Sequence, residues 1–171
     1  ERRGNRMRIA VAGGTGVVGR HAVEAARAAG HEVVVLSRSS GADVLTGAGL
    51  DERMQGADAV IDVTNTTTLS AAKAVKFFET ATRNLLAAES RAGVTHHVAL
   101  SIVGIDGIDA SYYAGKLAQE RAVAAGSVPF TIARAGQFHE FAGQLLSRMS
   151  GPVAVLPKPV SYTHLTLPTK A

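Results

Sequence analysis

The octapeptide AGGTGVVG, Ala12 to Gly19, follows the apolar run MRIAVA (Met7 to Ala12) and leads into the alanine-rich stretch from Val17 to Ala29. An apolar strand, a glycine turn and a helix in immediate succession restrict the chain to folds whose first unit is strand, tight turn, helix. Gly13 suits the turn because it has no Cβ to penalise a positive φ. Gly16 leaves backbone bare beside the helix start, and Gly19 lets the helix sit close on the strand.

The rest of the body repeats that alternation. Strands are expected at Glu32–Leu36 (EVVVL), Ala59–Val63 (AVIDV), His97–Ser101 (HVALS), Phe130–Ala133 and Val153–Leu156. Helices are expected at Val17–Ala29, stopped by Gly30, and at Leu50–Met54, Ala71–Ala92, Ser111–Ala125 and Phe138–Met149. The long third helix places Val75, Phe78, Ala81, Leu85 and Ala88 on one stripe. Ser37 to Gly49 is polar and glycine-rich, hence loop. Strands that alternate with helices make a parallel sheet covered on both faces, so the fold class is α/β, a doubly wound Rossmann-type sheet.

Composition sets bounds on this reading. The 171 residues contain no cysteine, which excludes a disulfide framework and thiolate metal sites and points to a reducing cytoplasm. No apolar run reaches the length of a membrane span, and no signal peptide is evident. The net charge of +4 and pI of about 9.8 suggest nucleic acid at first sight. That charge lies at the ends. Arg2, Arg3 and Arg6 outnumber Glu1, and Lys158 and Lys170 have no acidic counterpart, leaving residues 7–157 neutral. Neither nucleic acid nor membrane is therefore expected as a partner.

The ends differ from the body in texture. Residues 1–6 read as an N-terminal extension ahead of Met7. Val160 to Thr169 (VSYTHLTLPT) resembles translated sequencing adapter, so residues 160–171 are expected to be a non-native tail on a C-terminally truncated chain. The single domain expected is 7–157.

The glycine turn implies a phosphate site, since unpaired amides at a helix start, with the helix dipole, favour a pyrophosphate. Gly13, Thr15, Gly16, Val17, Val18 and Gly19 form that cradle. The end of the second strand reads LSRSS (Leu36–Ser40), with no acid of the kind that holds NAD ribose hydroxyls. Arg38 suits a 2′-phosphate, with Ser37 adding a hydroxyl, which favours NADP over NAD. Asp43 is a further candidate for the adenine end, although a loop aspartate commonly forms turns.

Tyr112 and Lys116 stand four apart on an expected helix and project from one face. An ammonium beside a phenol lowers the phenol pKa and turns it into an acid–base group; Lys116 would also hold the cofactor ribose. Ser101 ends the fourth strand, where an open α/β sheet presents its crevice, and would hold a substrate carbonyl. Tyr113 faces elsewhere. His96 and His97 are consecutive on a strand and face opposite ways, and Asp106 and Asp109 sit among glycines as turn residues, so no metal site is assigned.

The segments GGTGVVG, ALS, YYAGK with LAQE, and FTIARAGQFHEF resemble the short-chain dehydrogenase/reductase superfamily, most closely its atypical, NmrA-like branch. The resemblance implies a catalytic trio of Ser101, Tyr112 and Lys116 and an NADP(H)-dependent reduction of a carbonyl or quinone-like small molecule. It also implies a second possibility, a non-catalytic NADP(H)-binding redox sensor with a protein partner. Asn84 matches a frequent family asparagine, though a buried, hydrogen-bonded helix asparagine is the reading its position favours. Gly136 to Phe141 falls where the family lines its substrate cleft, and a plain helix start reads equally well there. VTNTTT (Val63–Thr68) departs from the family's Asn-Asn-Ala-Gly segment.

Overall fold

The computed structural model describes residues 6–136. Five strands, β1 (Arg8–Ala12), β2 (Glu32–Leu36), β3 (Ala59–Asp62), β4 (His96–Ile102) and β5 (Phe130–Ala135), pair in parallel in the order β2-β1-β3-β4-β5. The helices are α1 (Val17–Ala28), α2 (Leu50–Met54), α3 (Ala71–Ala92) and α4 (Ser111–Ala125). The expected alternation and the α/β fold are therefore present. The expected helix at Phe138–Met149, the strand at Val153–Leu156, residues 137–141 of the cleft segment and both terminal extensions apart from Arg6 lie outside the described residues.

Strand alternation sorts the core into two layers. Ile9 and Val11 pack against Val23 and Ala26 of α1, and Ala10, Ala12 and Val60 pack against α2 and α3 through Leu50, Met54, Leu85 and Ala88. Helices thus cover both faces. A fully buried Phe78 contributes about 1.5–3 kcal/mol of apolar burial at the α3–α4 contact. That contact is close because Gly115 lacks a Cβ, which would stand 2.8 Å from Ala74 and 2.7 Å from the Phe78 ring.

The chain leaves β1 toward β2 on one side and later places β3 on the other. The sheet order therefore reverses between β1 and β3, and a crevice opens beyond their carboxyl ends. The glycine turn lies at that crevice, as do the loops after β3 and β4. Among the described residues, no helix is long and apolar enough to cross a membrane.

Candidate active site at the sheet's carboxyl edge

Gly13 takes φ +78, and a Cβ there would lie 2.8 Å from the Val63 carbonyl oxygen in the loop after β3. Gly19 is more constrained, since its Cβ would stand 2.1 Å from the Gly13 oxygen. The two glycines fold the turn onto itself and against β3. Gly16 caps α1 without a side-chain bond, and the first intrahelical bond runs from the Arg20 amide to the Gly16 oxygen at 3.0 Å. The amides of Val17, Val18 and Gly19 thus have no helical acceptor, and no acidic residue occupies the first turn. Thr15 and Gly16 are exposed at its mouth. This cradle fits a dinucleotide pyrophosphate in charge and space.

Beyond β2 the serines build a small structure that sequence reading treated as loop. The Ser37 side chain accepts from the Ser40 amide at 3.3 Å, and the Ser40 hydroxyl accepts from the Ser37 amide at 3.0 Å. This reciprocal cap closes a single 3-10 turn over Arg38–Ser40, ended by Gly41 at φ +83. Arg38 stands exposed on it and, among the described residues, makes no side-chain hydrogen bond or ion pair. Asp43 accepts from the Leu45 amide at 2.8 Å and so shapes the next turn. Asn84 of α3 donates to the Val44 and Leu45 carbonyls, each at 2.9 Å, fastening that turn to the helix.

Two of the three predicted catalytic residues, Tyr112 and Lys116, meet at Phe78. The Lys116 ammonium lies 4.6 Å from the centre of the Phe78 ring, and Tyr112 meets the same ring edge-on at 5.5 Å. Lys116 Nζ donates to the Leu100 carbonyl at 2.6 Å, one residue before Ser101. Ser101 is 2% exposed, and its hydroxyl has no hydrogen-bond partner among the described residues. Tyr113 packs edge-on against Tyr112 at 6.2 Å. α4 begins with Ser111 at φ +53, a left-handed conformation unusual for a residue with a Cβ.

The electrostatics differ from expectation. Lys116 is buried, which pushes its ammonium down to about 8 against a partial counterweight from Asp62 and Glu120. The Tyr112 phenol is pushed up, not down, by burial and then by the charges of Asp62 and Tyr113. Burial is the larger cause, and the Lys116 ammonium, donated to Leu100 and Gln119, does not offset it. Asp106 is more than a turn residue, since Arg134 holds both its oxygens at 2.6 and 2.8 Å and also donates to Glu120. The consecutive histidines do face opposite ways, His97 onto Glu89 of α3 and His96 onto Thr131 of β5.

Two residues escaped the sequence reading. Asp62, fully buried at the end of β3, accepts from the Thr64 amide and hydroxyl at 2.9 and 2.7 Å and from the Gln119 amide at 2.8 Å. Gln119 in turn accepts from Lys116. An acid inside the apolar run AVIDV was the available signal.

The profile of the NAD dependent epimerase/dehydratase family matches residues 9–111, from β1 to the first residue of α4. The chain belongs to this family. It is an SDR-type, NAD(P)-binding protein with a Rossmann-like sheet. Similar solved structures include the Bordetella bronchiseptica enzyme WbmG in complex with NAD, at TM-score 0.65 and 19% identity over 80% of this chain and 55% of that one. A short-chain dehydrogenase/reductase superfamily protein from Agrobacterium tumefaciens with bound NAD gives 0.61 and 25%, over 76% and 49%. UDP-N-acetylglucosamine 4-epimerase from Bacillus cereus gives 0.66 and 22%, over 77% and 54%. This family member thus spans about half the length of these relatives. A comparison with curated protein sequences gave no match.

Proposed function

We propose that the chain is the nucleotide-binding part of a cytoplasmic NAD(P)H-dependent oxidoreductase that reduces a carbonyl or quinone-like small molecule, with NADP preferred. The observation that carries this reading is the grouping of Tyr112 and Lys116 on one buried ring, with Lys116 bonded to the Leu100 carbonyl one residue before Ser101 at the carboxyl end of β4. The amides of Val17, Val18 and Gly19 hold the pyrophosphate. Arg38 and Ser37 meet a 2′-phosphate, and Asp43 lies toward the adenine end. When bound, the nicotinamide supplies the hydride.

The remaining roles belong to this chain's side chains. Lys116 has three N–H donors, two of them used, and presents the third to the nicotinamide ribose. Ser101 holds the substrate oxygen with its unpaired hydroxyl. Tyr112, kept protonated by its surroundings, delivers a proton to that oxygen. One similar structure, from Bacillus cereus, is a UDP-N-acetylglucosamine 4-epimerase, and the carbonyl or quinone-like substrate proposed for this chain rests on the narrower NmrA-like resemblance.

Fluorescence titration with NADPH and NADH tests the cofactor assignment. NADPH is expected to bind more tightly, and Arg38→Ala to erase the difference, a loss of about 1.5–3 kcal/mol for a charged hydrogen bond. Equal affinities in wild type and variant refute the preference. Turnover over a carbonyl and quinone panel tests the chemistry through Tyr112→Phe. The raised phenol pKa favours one rival reading, a non-catalytic NADP(H)-binding redox sensor with a protein partner. Activity unaffected by Tyr112→Phe, with NADPH binding intact, selects that rival.

A further inference from the structure

Five groups form a continuous buried polar line: Thr64, Asp62, Gln119, Lys116 and the Leu100 carbonyl. Asp62, Lys116 and Gln119 are all at most 3% exposed. Val63 and Thr64, which open the loop after β3, abut Gly13 through their backbone, and Leu100 adjoins Ser101. The line therefore spans from the nucleotide turn to the chemical end of the crevice.

Its hydrogen bonds have a fixed direction. A carboxylate only accepts, so Asp62 compels Gln119 to turn its NH2 toward it. The Gln119 carbonyl oxygen is then the end left for Lys116, which as an ammonium only donates. Each member is matched to the next by donor and acceptor type, as buried networks require.

We propose that Asp62 and Gln119 are positioning residues for Lys116: the Asp62 carboxylate sets the Gln119 amide, whose oxygen aims the ammonium and leaves one N–H for the cofactor ribose. The ribose contact rests on the function proposed above, whereas the orientation of Lys116 does not. Asp62→Asn breaks the line by polarity without changing its shape. An asparagine offers one oxygen and one NH2, yet the Thr64 amide, the Thr64 hydroxyl and the Gln119 amide all donate to that position. Either Thr64 or Gln119 then meets a donor, or Gln119 flips and turns its NH2 onto the ammonium.

The charged and titratable groups around Lys116 are Asp62 from β3, and Glu120 and Tyr112 on α4 itself. Glu120 is engaged by Arg134 of β5. His97 of β4, paired with Glu89 of α3, lies within the field of Asp62. From α3 the ammonium faces the uncharged Phe78.

The test is an NMR titration of the lysine terminal methylene groups in the full 171-residue chain, 13C-labelled at lysine, with Lys116→Arg assigning the signal. In wild type, Lys116 is expected to titrate below the other lysines. Asp62→Asn is expected to lower its midpoint further, by about one pKa unit or tenfold in proton affinity. Gln119→Glu, which sets a carboxylate against the ammonium, is expected to raise it by a similar amount. If Asp62→Asn does not fold, Gln119→Glu decides alone. A Lys116 midpoint unchanged in every variant that folds overturns the proposal. Failure of the oxidoreductase reading appears separately, as wild-type protein that does not bind or oxidise NADPH while these midpoints still move.

Discussion

Glu89 of α3 and His97 of β4 meet at 2.8 Å between Oε1 and Nδ1, with both side chains fully buried. Burial by itself pushes an imidazole down, but the hydrogen bond to Glu89 and the charges of Glu89 and Asp62 outweigh it, and His97 is raised above its ordinary value. The folded imidazole thus holds a proton more tightly than the unfolded one. Its contribution to stability is complete below about pH 6.5 and fades as pH rises through the folded-state value. Removing one partner leaves a buried group uncompensated, so His97→Ala should cost about 3–5 kcal/mol at pH 6. Urea unfolding of wild type and variant from pH 6 to 9 should show that gap narrowing. A gap that widens with pH contradicts the assignment.

Gly19→Ala and Gly16→Ala should separate folding from nucleotide binding. The methyl at Gly19 would strike the Gly13 oxygen at 2.1 Å, so that variant should lose at least about 1–3 kcal/mol of stability. At Gly16 the neighbour is the same oxygen at 3.3 Å and the residue is exposed, so stability should change little. NADPH affinity should fall roughly tenfold or more in both, because the backbone approach to the pyrophosphate is blocked. Thermal melts and fluorescence titrations decide it. Normal affinity in Gly16→Ala would place the phosphate elsewhere.

Lys116→Met should cost the fold least near neutral pH, where removal of a buried ammonium offsets loss of the Leu100 and Gln119 bonds. The buried ammonium sits at about 8, below its unfolded value, so the unfolded chain binds more protons between about pH 8 and 10.5. The stability associated with Lys116 is therefore full above 10.5 and lost as pH falls through 8. Relative to wild type, the methionine variant should stand highest at pH 7 and fall progressively behind toward pH 10.5. Denaturant midpoints at both pH values test this; a constant difference would mean that Lys116 is solvated. Methionine preserves the packing on Phe78, so cavity costs stay small.

Asn84→Ala should free the turn at Val44 and Leu45. Two hydrogen bonds across 40 and 39 residues of chain are lost, with an expected cost of about 1–3 kcal/mol. Amide hydrogen exchange at Leu45 and Gly47 should accelerate while that of β1 stays slow. Unchanged exchange in the turn would show that Asp43 and the glycines hold it without Asn84.

The sequence disclosed most where a local rule had room to act. The long helix α3 follows from its apolar periodicity, and Tyr112 and Lys116 share a face because four residues make about one turn. Arg38 was placed by strand-end logic alone. The serine-capped turn around it stayed hidden, since Ser37 and Ser40 give the same polar signature in an open loop as in a closed one. Asp62 and Gln119 are 57 residues apart, and nothing local to either announces the other. The direction of the Tyr112 shift was likewise beyond local spacing, because it depends first on how deeply the phenol is buried and then on the charge of Asp62, which comes from β3. Spacing tells which side chains share a face; partners from other elements decide what each does there.

The Phe78 ring beneath Lys116 also has a magnetic consequence. Circulating π electrons shield nuclei held over an aromatic face, and Lys116 Nζ is 4.6 Å from the ring centre. The terminal methylene protons of this lysine should therefore resonate upfield of those on solvated lysines. The cluster thus carries its own reporter: any ligand that draws the ammonium off the ring will move that resonance back downfield, with no label placed in the crevice.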